Sequence, residues 1–172
     1  IGDDILVKPK GFLVHTNLVY VCDFFDKAVK VFKPNGTFVK NLIELDYPTD
    51  ITVNPETNEF FILSGEYWQR NYIHKTTSEG NLIWSVEKAS RENNLFGTHG
   101  AVSIKYNRVN NYLYITDTQQ NRVLLFNADN GNYIKAVGGL SIPRETGINQ
   151  NGNAYIADFN NNKIVVLDTN GT

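Results

Sequence analysis

Three aspartates hold the same place in three look-alike stretches: Asp23 in LVYVCDFFDKAVKVFKPNGTFV, Asp117 in YLYITDTQQNRVLLFNADNGNYI and Asp158 in NAYIADFNNNKIVVLDTNGT. Carboxylates repeated at one spacing would suit a ring of metal ligands. They would equally serve as turn caps, each accepting backbone N–H groups from the turn that follows its strand. Recurrence favours the cap, because a catalytic acid is needed once and a cap in every repeat. A basic residue in the same turn, Lys27, Arg122 or Lys163, is placed to pair with the acid.

Other reactive side chains are few. The histidines are His15, His74 and His99, and the single cysteine, Cys22, aligns with Thr116 and Ala157 as a small packing residue beside the acid. The sequence shows no Ser–His or Cys–His pairing of the kind that activates a nucleophile, so no catalytic residue is assigned. The stretch GEYWQRNY brings together Tyr67, Trp68 and Arg70, the residue types that dominate protein-interface hot spots. The same aromatic and basic types would stack on single-stranded RNA. Asn35-Gly36-Thr37 and Asn170-Gly171-Thr172 match the N-glycosylation acceptor pattern, although Asn-Gly is also the favoured composition of a type I′ hairpin turn.

The elements that must position these residues are short strands. Alternating runs rich in Val, Ile, Tyr and Phe are broken by Asn, Gly, Asp and Pro, the pattern of an all-β chain. A fourth, degenerate copy, NEFFILSGEYWQRNYIHKTTSEGNLIWSV, carries Ser64 where the acid belongs, so the anchors Asp23, Ser64, Asp117 and Asp158 are spaced by 41, 53 and 41 residues. Each unit opens with a further strand, GFLVH, DITVN, GAVSIKY or ETGINQ. A period in the forties with about four strands per unit predicts a β-propeller of four-stranded antiparallel blades. The repeats run approximately over 8–45, 46–92, 96–139 and 141–172.

The pieces KPKGFLV, VYVCDFFDKAVKVFKPNGTFV, LYITDTQQNRVLLFNADNGNYIKAVGG and AYIADFNNNKIVVLDTNGT resemble the NHL-repeat family of β-propellers, over nearly the whole chain and least over 46–92. The resemblance implies six blades where four units are visible, and a last unit that stops at Thr172 before its outer strand. Ile1–Val7 would supply that strand and close a ring, or else would be the tail of a preceding blade. The expectation is a piece of a longer propeller, completed by further blades or by another copy. The resemblance also places the starts of the inner strands around a central channel. There the four units differ: Lys10, Asp50, His99, Arg144 and Glu145 are the candidate ligand residues. Similar propeller lyases hold a metal in the channel, and Ca²⁺ through Asp50 and Glu145 or Zn²⁺ through His99 would be the candidates here. No cofactor is predicted.

The chain has 172 residues and a net charge of −2, enough for one substantial core and without the basic surface that nucleic acid or anionic lipid would demand. No apolar run is long enough to span a bilayer. With no Met and no signal-peptide pattern at Ile1, the chain reads as an excerpt or a processed product. The compartment is not fixed, and the sequons tilt it toward an extracellular setting. The expected function is a non-enzymatic scaffold presenting propeller loops to a protein partner. The alternatives are a metal-dependent lyase or hydrolase working in the channel and, third, a single-stranded RNA binder.

Overall fold

The protein is seen in a computed structural model that describes residues 5–66, 70–87 and 101–172. Its strands follow one another without crossovers. The first blade comprises β1 (Pro9–His15), β2 (Leu18–Asp23), β3 (Ala28–Phe32) and β4 (Phe38–Glu44). The second comprises β5 (Asp50–Asn54), β6 (Glu59–Glu66), β7 (Arg70–Thr76) and β8 (Leu82–Glu87). The third is built from β9 (Ala101–Asn107), β10 (Tyr112–Asp117), β11 (Arg122–Asn127) and β12 (Tyr133–Val137). The fourth has three strands, β13 (Pro143–Ile148), β14 (Ala154–Asp158) and β15 (Lys163–Leu167). Within each sheet the spatial order is the chain order and all pairings are antiparallel. The all-β propeller expected from the repeats is the fold the chain adopts.

Each strand alternates its side chains between two faces, and both faces of the second and third blades are apolar because a neighbouring blade lies on each. One cluster joins the first blade to the second, through Tyr20, Cys22, Val29 and Val31 on one side and Ile51, Phe60 and Ile62 on the other. The second and third blades meet through Phe61, Leu63 and Ile73 against Ile104, Leu113, Ile115 and Phe126. Tyr114, Val123 and Leu125 meet Ala154, Ile156 and Leu167 between the third and fourth. Burying side chains of this size contributes roughly 1.5–3 kcal/mol apiece, so the core is the set of blade interfaces rather than any single sheet. First strands pack on first strands, β1 on β5, β5 on β9 and β9 on β13, which makes them the inner strands.

Two expectations about local structure are corrected. Ile5–Val7 form no strand and do not extend the fourth blade. Lys30 Nζ donates to the Ile5 carbonyl at 2.5 Å, and the Val7 N–H goes to Asp23, so this segment is tied to the first blade. The Asn35-Gly36 turn is not type I′, since only Gly36 has a positive φ, 92°. Asn35 Oδ1 instead accepts the Thr37 N–H at 3.1 Å, a local bond that holds Asn35 in an ordinary conformation.

Candidate functional site

The inner strands carry the candidate ligand residues. Gly11 in β1 donates its N–H to the Thr49 carbonyl at 2.8 Å. A Cβ on Gly11 would come within 2.5 Å of Asp50 Oδ1, so the absent side chain is what lets the two blades approach here. Asp50 is buried at the start of β5, and its Oδ2 accepts the Ile104 N–H and the Lys105 ammonium, each at 2.9 Å. Burial pushes the Asp50 carboxyl above its ordinary value, against the pull of Lys105. The same Lys105 Nζ lies 3.0 Å from Glu145 Oε1, which also accepts the Ser103 hydroxyl at 2.7 Å. Burial works to lower the Lys105 pKa, but the two carboxylates outweigh it and raise the value. Asp50, Lys105 and Glu145 thus form a charge bridge across the inner strands of three successive blades.

Of the five channel candidates, then, the fold brings two together, Asp50 and Glu145, through a lysine that the sequence reading did not select. Lys10 and Arg144 are elsewhere occupied. The Lys10 ammonium sits 3.6 Å from the centroid of the Phe24 ring, and Arg144 Cζ lies 5.2 Å from that of Phe159, both within cation–π reach. Burial, with Lys8 adding to it, lowers the Lys10 pKa. His99 lies outside the described residues. Among the described residues no group of three or more His, Cys, Asp or Glu side chains converges as metal ligands would. Lys105 had one signal in the sequence, as the charged residue inside the apolar strand GAVSIKY.

The three repeated acids are buried at the ends of β2, β10 and β14. Asp23 accepts the Val7 N–H at 2.9 Å, the Lys8 N–H at 2.7 Å and the Lys30 ammonium at 2.9 Å. Burial raises its pKa, yet these donors outweigh it and hold the carboxyl below its usual range. Asp158 accepts the Ser141 N–H at 2.6 Å and the Asn161 amide at 2.7 Å, with Lys163 3.8 Å away. Asp117 pairs with Arg122 Nε at 3.0 Å. The backbone donors at Asp23 and Asp158 come from the segment leading into the blade's first strand, not from the following turn as expected. The turns after Asp117 and Asp158 satisfy themselves, Asn121 N–H donating to Thr118 and Asn162 N–H to Phe159. Each acid therefore ties the end of one strand to the beginning of another. Lys27 pairs with Asp46 at 2.9 Å rather than with Asp23.

The degenerate blade solves the same position without charge. Cross-strand register makes His74 the counterpart of Lys30, since Lys30 faces Val21 and His74 faces Ile62. Ser64 Oγ lies 2.8 Å from His74 Nε2, and Ser85 Oγ lies 3.0 Å from Nδ1. A buried Asp–Lys pair in the first blade becomes a buried Ser–His pair in the second. The pairing that sequence alone did not reveal is present, but Ser64 and His74 are enclosed between blades, which withholds them from any substrate. Burial lowers the His74 pKa to about 4. Cys22 is likewise enclosed, and burial raises its thiol pKa well above the ordinary value.

Tyr67 and Trp68 lie outside the described residues. Arg70 opens β7 opposite Glu66. Asn35 and Asn170 are exposed in the turns after β3 and β15. No helix among the described residues is long and apolar enough to cross a membrane.

No family model matches the chain, and no curated protein sequence does. Solved structures do. A virginiamycin B lyase from Staphylococcus aureus superposes with a TM-score of 0.72 at 17% identity, over 95% of this chain and 53% of its own. A chain of a nidogen/laminin complex gives 0.77 at 18%, over 96% of this chain and 61% of its own. A protein of unknown function from Bacteroides caccae gives 0.65 at 13%, over 95% and 60%. The chain thus spans between about half and three fifths of the length of these structures. At such identities the likeness shows the fold alone, and the fold is a β-propeller.

Proposed function

We propose that this chain is a non-enzymatic interaction module whose NHL-like blades present loops to a protein partner. The observation that carries the reading is the Asp50–Lys105–Glu145 bridge. An ammonium 2.9 Å from one carboxylate and 3.0 Å from the other pairs with both, in the space a shared Ca²⁺ would need. These side chains hold blades in register rather than await a ligand. Similarity to a chain from a nidogen/laminin complex supports a protein partner; in an extracellular setting Asn35 and Asn170 would be open to glycosylation. The contact residues are assigned to Tyr67, Trp68 and Arg70.

The test is affinity capture with the wild-type chain and with Trp68→Ala and Arg70→Ala, alongside metal analysis of wild type and His99→Ala. A partner recovered by wild type and lost from either hairpin variant is the expected result. Stoichiometric metal in wild type that disappears in His99→Ala would overturn the proposal in favour of channel chemistry.

A further inference from the structure

The register of the four sheets gives every position a counterpart in each blade, and two sets of counterparts break the burial pattern. On the forward face of a blade, Val29, Ile73 and Val123 are fully buried against the next blade. Their counterpart in the fourth blade, Ile164, is 60% exposed. Val31 and Leu125 are buried, and their counterpart Val166 is 51% exposed beside the exposed Tyr155. On the backward face, Ile51, Ile104 and Thr146 are buried against the preceding blade. Their counterpart in the first blade, Phe12, is 66% exposed, with Val14 at 64%. Among the described residues, one forward face and one backward face are therefore uncovered, each of the kind buried three times over between blades.

The two faces also fit in shape. Beside Tyr155 on the forward face stands Gly147, where the other blades have Leu13, Thr52 and Lys105. A Cβ there would meet nothing within 4 Å, so the inner strand has a hollow at this point. On the backward face the inner strand bears Phe12, the largest of its set against Ile51, Ile104 and Thr146. The opposite departures in volume, a missing side chain and an oversized one, are those of a knob and its hole. Within one molecule the two faces do not cover each other, as their exposure shows.

We propose that the forward face of the fourth blade binds the backward face of the first blade of a second copy of this chain. The contact is head-to-tail, and two such contacts close a pair of chains around one axis, whereas non-closing contacts would make filaments. It continues the established blade-to-blade interface and is independent of the loop surface assigned above.

The experiment is sedimentation velocity with light scattering on the 172-residue chain from about 1 to 100 µM, a range in which a blade-sized apolar interface should assemble. Wild type is expected at twice the chain mass. Ile164→Asp and Phe12→Asp each remove one apolar face at an exposed position, and each alone should weaken association at least tenfold while keeping the wild-type far-UV spectrum. Mixed in equal amounts they restore one intact contact, since each variant keeps the face the other has lost, and a dimer should reappear. A wild-type monomer throughout the range overturns the proposal and assigns the faces to other blades or another protein. Variants that still dimerise, or a mixture that stays monomeric, overturn it as well.

Discussion

The enclosed His74 makes stability depend on pH between 6.5 and about 4. Ser64 and Ser85 engage both ring nitrogens, and hydroxyls can rotate to accept from a protonated ring, so hydrogen bonding does not forbid the cation. Burial does, lowering the pKa from 6.5 to about 4. The unfolded chain then binds a proton between pH 6.5 and 4 that the folded chain refuses, and stability falls as pH falls through that window. A displacement of this size corresponds to roughly 3 kcal/mol at about 1.4 kcal/mol per factor of ten in proton affinity, a large share of a domain's 5–15 kcal/mol. His74→Asn keeps a neutral side chain able to bond both serines and removes the titration. Urea denaturation of both proteins from pH 7.5 to 4 is the assay. The difference between the two stabilities should shrink or reverse by about 3 kcal/mol as the pH falls. Asp23 and Asp158, whose carboxyls are held below their ordinary value of 3.8, lose their contribution only below that pH, and Asp50, raised by burial, acts in the opposite sense. None of the three distinguishes the two proteins. Parallel pH profiles for wild type and His74→Asn would refute the argument, as would a ring titration measured near 6.5 in the folded state.

Three further outcomes follow from the buried charges and the glycines. Lys30→Met should cost about 3–5 kcal/mol because it strands the enclosed Asp23 carboxylate, and adding Asp23→Asn should recover a good part of the loss; denaturant midpoints of the single and double variants measure this. Gly80→Ala should cost more than about 2 kcal/mol, since φ is +94° and the new Cβ would fall 1.9 Å from the Leu42 carbonyl oxygen of the neighbouring blade. Gly147→Ala, with open space around it, should stay within about 1 kcal/mol by thermal unfolding of the same preparation.

What the sequence determined by itself was the repeat. A strand period, an acid at its end and a glycine turn recur because every blade is the same local problem, and such problems are solved by neighbouring residues in the chain. The propeller and the structural character of Asp23, Asp117 and Asp158 were legible for that reason. Arg122 pairs with Asp117 as its place in the turn suggested, but the backbone partners of Asp23 and Asp158 were not legible, because Val7, Lys8 and Ser141 reach them across a whole hairpin. Lys105 and the Ser64–His74 pair were hidden for a related cause. Lys105 joins Asp50 and Glu145 from residues about 40–55 positions away, and the lengthened β6–β7 hairpin moved His74 out of step with Lys30 in the linear count while leaving it in register across the sheet. Likewise Ile164 and Val166 look in the sequence like any other buried strand residues. Burial is a property of what lies on the opposite side of a sheet, and only the stacking of blades decides which faces are covered.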